Sequence, residues 1–424
     1  MNVRRLVGGG LMVAAALAML APAARSMAIA ADLPKVEPEL APDKELLAKI
    51  EALGENEAML LPKPKIVGEF NEESRKGGQD KKGPGARDFS VKTVWAPDRQ
   101  RALYCGGCYY NAKNDVWEYD LAANTWVSLY PPDPGDNDPK FKEVSVLGED
   151  GILRTARGGP VGASHTWWGI AYDPEKRMLF WLIAGHRIGK GPAQQGPELW
   201  GYSPWERKWE RQTAPQGAYL PRVSNCAVAL EYIPELKGSL LDDAGAFHLY
   251  DAKEKQWKKM AVQGALNVPP EQVACYDSRN KILVFHLGGG ENPKENRPGS
   301  RRTGHLDIGS MKAELVLKAD NDDLSMPRGS DNSAVLCYDP LSGHCLLHNL
   351  NRAGDGGEMW AYDASTRKWA RLKPNGPPPP RCGSHCGDPA YFDPARNVFV
   401  VLNPNGVWVY RYKHAPTAGV EQAR

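Results

Sequence analysis

Apolar residues between positions 87 and 412 come in short runs, too short for helices and bounded by turn residues. M-L-F-W-L-I-A (178–184), I-L-V-F-H-L (282–287) and V-F-V-V-L (398–402) are continuous runs of strand length. Their β-branched and aromatic content argues for buried strands. Each follows a run ending in Tyr-Asp or a relative, as in A-Y-D (171–173), C-Y-D (275–277), C-Y-D (337–339) and Y-F-D (391–393). The turns between them, such as D-P-E-K-R and D-S-R-N-K, are short and polar. Several second runs stop at glycines, as at Cys105-Gly106-Gly107 and Gly288-Gly289-Gly290.

A third line then recurs. Residues 117–126 read W-E-Y-D-L-A-A-N-T-W, 200–209 read W-G-Y-S-P-W-E-R-K-W, 248–257 read H-L-Y-D-A-K-E-K-Q-W and 360–369 read W-A-Y-D-A-S-T-R-K-W. In all four the tyrosine (Tyr119, Tyr202, Tyr250, Tyr362) precedes a tryptophan (Trp126, Trp209, Trp257, Trp369) by seven residues; Trp117, Trp200 and Trp360 open three of them. A truncated copy carries Trp408 and Tyr410, and H-L-D-I-G-S-M (305–311) stands where a copy is due. The second tryptophan starts a fourth strand.

Four short antiparallel strands at a fixed period describe a propeller blade. Six units follow, with strands near 92–130, 166–213, 224–262, 271–318, 332–373 and 387–412. A blade cannot bury both faces alone, so large flat side chains at fixed offsets fill the wedge between neighbours. The sixth unit lacks a fourth strand. An unpaired edge would remain at the ring closure, and P-K-I-V-G-E-F (64–70) is expected to fill it.

The flanking segments are simpler. Residues 31–63 form a lead-in, with Leu46, Leu47, Ile50 and Leu53 at helical spacing in an amphipathic helix over 43–54. Residues 71–86 read as a polar, Gly-rich loop, and 417–424 as a tail, so the propeller domain occupies 64–416. Residues 1–30 read as a secretory signal peptide: Arg4-Arg5, an apolar stretch from Leu11 to Leu20, and Ala28-Ile29-Ala30 as the cleavage site. An exported, periplasmic or secreted protein is the expectation, without a membrane span once the signal is removed.

Charge narrows the partners. Without Arg4, Arg5 and Arg25, 50 Lys+Arg face 51 Asp+Glu. A nucleic-acid partner would need a basic surplus, so protein or carbohydrate is expected and no cofactor is called for.

The apolar run with Gly-Gly, the W-x-Y-D line, the second tryptophan and the Pro-Arg before the next strand resemble the kelch repeat. The resemblance covers 85–412. It implies an all-β, six-bladed kelch-type β-propeller of four-stranded antiparallel blades, related in fold to the galactose oxidase central domain and preceded by a short helical lead-in. One fold hosts many functions, so this implies architecture rather than activity.

Candidate chemistry lies at the channel mouth formed by the connections entering each first strand. Units aligned on the aspartate ending that strand, beginning with Asp98, place Ser90, His165, Asn225, Asp331 and His385 at one level. Arg87, Arg222, Arg328 and Arg381 stand just upstream. Such a ring suits a sugar or carboxylate ligand; the alternative is that the arginines tie blades together. His286 and His348 also align and are read as core histidines. Cys105 and Cys108, with Cys382 and Cys386, bracket the closure as disulfides, as free thiols or, with His385, as a zinc site. Cys337 and Cys345 face each other across a turn as a further candidate bond. The leading expectation is a binding or interaction module for glycan or protein, with no catalytic residue singled out. A sugar-active enzyme of mutarotase or isomerase type, with a copper oxidase behind it, is the alternative. A scaffold using the 131–164 insertion is a third.

Overall fold

The computed structural model describes residues 40–68, 84, 87, 89–107, 113–132, 145–147, 153–155, 157–161, 165–183, 198–212, 221, 228–266, 272–287, 301–319, 324–328, 334–349, 357–381 and 387–414. They form six blades arranged as a ring. Blade one holds Val94–Ala96, Arg101–Gly106, Lys113–Asp120 and Thr125–Tyr130 from the channel outward. Blade two holds Ile170–Asp173, Met178–Ile183, Glu198–Ser203 and Lys208–Arg211. Blade three starts at Val228–Ile233, blade four at Val273–Asp277, blade five at Ala334–Asp339 and blade six at Ala390–Asp393. These innermost strands touch in sequence, and Ala390–Asp393 meets Val94–Ala96 to complete the ring.

The recurring line has a geometric cause. A four-residue turn separates the third and fourth strands, so residues seven apart become direct cross-strand partners: Tyr119 with Trp126, Tyr202 with Trp209, Tyr250 with Trp257 and Tyr362 with Trp369. Their ring centroids lie 4.8–5.1 Å apart, within the range where aromatic pairs add ~0.5–1.5 kcal/mol beyond burial. The aspartate after the tyrosine serves the turn. Asp251 accepts from the Lys253 and Glu254 amides, and Asp363 from those of Ser365 and Thr366. Blade four lacks the pair. Leu306 faces Ala313 there, and neighbouring His305 meets the Tyr362 hydroxyl of blade five at 2.8 Å.

The closing strand differs from the expectation. Glu57–Leu60, not 64–70, pairs antiparallel with Gly406–Arg411 and completes blade six. Lys65–Val67 instead runs parallel to Thr125–Tyr130 as a fifth, outermost strand on blade one. The two apolar stretches flank Pro62-Lys63-Pro64, and the chain crosses from the last blade to the first between them. Ala58 faces Tyr410, the place held by a tryptophan in four other blades, and the Tyr410 hydroxyl donates to Asn56 Oδ1 at 2.8 Å.

The lead-in helix spans Lys44–Glu51, capped by the Asp43 carboxylate on the Leu46 amide at 3.0 Å. Leu46 and Ile50 are buried. Arg411 holds its far end by donating to the Glu51 and Leu53 carbonyls at 2.8 and 2.5 Å, a cation where the helix dipole favours one. Within the 131–164 insertion, Ser145–Leu147 and Leu153–Thr155 form a two-stranded hairpin.

Candidate functional site

The first strands have two ends, and candidate chemistry lies at both. At the entering end, Arg222, Asn225, Asp331 and His385 lie outside the described residues, as do Cys108, Cys382 and Cys386. Arg87 is a structural residue. It makes two bonds to Asp115, at 2.9 and 2.6 Å, and a third to the Gly106 carbonyl, with both side chains of the pair out of solvent. Asp115 also accepts the Trp117 indole N–H at 2.6 Å. The same acid two residues before the tryptophan recurs at Glu198 and Glu358, which take the Trp200 and Trp360 indoles. D-V-W, E-L-W and E-M-W carry these acids in the sequence, two residues before each tryptophan.

His165 is buried and stacks on Phe89 with ring centroids 3.9 Å apart. Blade one registers on Ala96, which faces Arg101 as Asp173 faces Met178. The alignment on Asp98 was therefore two residues out. Ser90 bridges to Trp167 and does not stand level with His165; its hydroxyl donates to the Cys105 carbonyl at 2.9 Å. Arg328 and Arg381 are exposed, and their carbonyls accept from Asn349 and Asn403. The Arg328 carbonyl also meets His286 Nε2 at 2.7 Å. Burial pushes His286 down to about 4, and His348 lies stacked on Trp408. Both are core histidines.

The cysteines differ from one expectation. Cys337 faces Leu346, and Cys345 faces Tyr338, so the two occupy opposite faces of neighbouring strands and form no bond. Cys345 instead meets Cys275 of blade four in a thiol hydrogen bond. Cys105 is a buried thiol whose pKa burial raises. Among the described residues no group of three or more His, Cys, Asp or Glu is placed to hold a metal.

The leaving end of the first strands carries a cavity of about 380 Å³. Eight aromatic residues line it, and six of them come one from each blade: Trp95, Tyr172, Tyr232, Tyr276, Tyr338 and Phe392. These six hold one equivalent place, each the penultimate residue of its strand, facing the second residue of the next. The tyrosine hydroxyls run round the ring to the preceding blade. Tyr172 donates to Asp98 at 2.5 Å, Tyr232 bonds Glu175, Tyr276 donates to Glu235, and Tyr338 accepts from the Arg279 amide at 3.3 Å. Burial raises all four hydroxyl pKa values.

Deeper in the cavity, Lys92 of blade one reaches blade three. Its ammonium donates to Glu231 Oε1 and to the Leu230 carbonyl, both at 2.6 Å, and lies 5.2 Å from the Trp168 ring centroid. The Trp168 indole donates to Glu231 Oε1 and the Ala274 carbonyl, both at 2.8 Å. Desolvation lowers the Lys92 pKa and raises that of Glu231, each opposed by the other's charge. Lys92 was legible only as one basic residue among 53 Lys+Arg, and nothing local ties it to Glu231.

No family model matches the chain, and no curated protein does. Solved structures align with it at low similarity. An auxiliary nutrient binding protein from Bacteroides thetaiotaomicron aligns with TM-score 0.46 at 9% identity, over 84% of this chain and 77% of its own. A fungal alcohol oxidase of the AA5 family, in complex with copper, aligns with TM-score 0.41 at 11% identity, over 78% and 76%. The fold defines the class: a six-bladed β-propeller of four-stranded antiparallel blades.

Proposed function

We propose that this kelch-type propeller is an exported binding module, and that its ligand is a glycan, free or carried on a protein. The observation that carries the reading is the channel cavity walled by one aromatic side chain from every blade. Flat ring faces around a concave space suit the C–H faces of a sugar, and the volume falls within the roughly 300–1,000 Å³ of small-molecule sites. Export rests on the signal-like first 30 residues.

Equilibrium binding to a set of immobilised glycans tests the reading, with purified full-length protein and with Tyr338→Ala and Trp95→Ala variants. Specific retention weakened by either change supports it. Retention of a protein after enzymatic removal of its glycans would favour a protein ligand, with exposed Arg328 and Arg381 at the other face as contacts. Turnover of a bound sugar, lost in Asp331→Asn or His385→Gln with the fold intact, would favour the enzyme.

A further inference from the structure

We propose that the Lys92–Glu231 pair is a hydroxyl-recognition device, and that the cavity selects neutral saccharides. This rests on the glycan reading above and places its specificity in two residues.

Glu231 uses one oxygen twice. Oε1 accepts from both Lys92 and Trp168. Oε2 takes no hydrogen bond among the described residues, yet Glu231 lines the cavity with 16% of its side chain exposed. Lys92 has three protons and uses two, with only 7% of its side chain exposed. One carboxylate oxygen and one ammonium proton are therefore without a hydrogen bond among the described residues, on two side chains that line the cavity.

A ligand that fills this space must satisfy both. A purely apolar one would leave a carboxylate oxygen and an ammonium proton dry, at a cost of several kcal/mol. A hydroxyl serves both at once, donating to Glu231 Oε2 and accepting from Lys92 Nζ. Vicinal hydroxyls on a ring, with C–H faces against Trp95, Tyr172 and Tyr338, match what the walls offer.

Charge decides between sugars. The pair is neutral as a unit, so neither sign is attracted. A carboxylate-bearing sugar would set a second anion beside Glu231, and an amino sugar a second cation beside Lys92. Either repulsion is strong in a site of low effective dielectric. Neutral hexoses and their glycosides meet no such penalty.

The test is calorimetric titration at pH 7 with methyl glycosides of glucose, galactose and mannose, with glucuronate and with glucosamine. Trp168 and Trp95 supply a fluorescence readout of the same site. The wild type is expected to bind at least one neutral glycoside ten-fold or more tightly than either charged sugar. Glu231→Gln, which turns the free acceptor into a donor, should weaken that binding at least ten-fold. The double variant Lys92→Met/Glu231→Gln removes both charges together, so its folding does not hinge on a lone buried ion; it should lose the neutral-sugar preference. Lys255→Ala, on the outer surface, should change nothing.

Equal binding by wild type and both cavity variants would overturn the proposal while leaving the glycan reading standing. So would tighter binding of glucuronate than of any neutral sugar. Binding of no saccharide to the wild type, in calorimetry and on the glycan set alike, would remove the glycan reading and this proposal together.

Discussion

Arg87 Nη2 lies 2.6 Å from Asp115 Oδ2, and neither side chain reaches solvent. The segment entering blade one is thereby tied to that blade's third strand. Asp115 in turn holds the Trp117 indole, so one carboxylate serves two elements.

Arg87→Met is expected to cost ~3–5 kcal/mol, because it leaves Asp115 charged and buried without its partner. The double variant Arg87→Met/Asp115→Asn should recover most of that loss, since an asparagine still accepts from Trp117. Urea denaturation of the three proteins checks this. A loss under ~1 kcal/mol for the single variant would show that Asp115 is solvated and the arginine free for a ligand.

Ring closure can be weakened at one atom. The Ala58 amide bonds the Asn375 carbonyl, and the Leu61 amide bonds the Val407 carbonyl at 2.8 Å. Amides alternate along a strand, so Met59 also points at Gly406–Arg411. Met59→Pro deletes that ladder bond, with an expected loss of ~1–3 kcal/mol. Size-exclusion chromatography should also show association through the loosened edge. Lys63→Pro, in the crossing between blades, should leave both measurements unchanged.

Two buried histidines set an acid limit. Burial pushes His286 and His305 down to about 4 from an ordinary 6.5. Between those values the unfolded chain binds protons that the folded one refuses. Their stability contribution is therefore whole above pH 6.5 and is lost as pH falls towards 4. Each is worth about 3 kcal/mol at ~1.4 kcal/mol per pKa unit. His305→Gln keeps a partner for the Tyr362 hydroxyl and should flatten the fall between pH 7 and pH 5. Urea midpoints at the two pH values give the difference.

The thiols should be silent until the ring opens. Burial raises Cys105, Cys275 and Cys337, so little thiolate exists at pH 8. Iodoacetamide should leave all three unmodified in the native protein and label them after guanidinium. Intact-mass spectrometry reads the count. A Cys337–Cys345 bond in the purified protein would contradict the strand register.

The blades were legible because their signal is local. Tyr119 and Trp126 are seven apart in the chain, and a four-residue turn makes them partners whatever lies elsewhere. Closure was misplaced by a few residues because Glu57–Leu60 falls inside the stretch read as a lead-in, and a short apolar run such as 64–70 does not say which sheet edge it will find. The site was harder. Tyr172, Tyr276 and Tyr338 were visible before their aspartates, but only a closed ring turns one residue per blade into a wall. Lys92 and Glu231 are 139 residues apart, and no periodicity links them. Arg87 was visible as an arginine before a strand; its burial against Asp115 was not.

The pairing of Glu57 with Arg411 joins positions some 350 residues apart. Most other contacts are hairpins, which form quickly because their loops are short. The blades can therefore assemble one after another while the closing strand, made before any of them, stays unused. Until Gly406–Arg411 exists, Glu57–Leu60 has no partner. An incomplete chain is an open arc with two adhesive edges. The last step of folding thus belongs to a segment synthesised before every blade, and loss of Gly406–Arg411 would unfasten both ends of the ring at once.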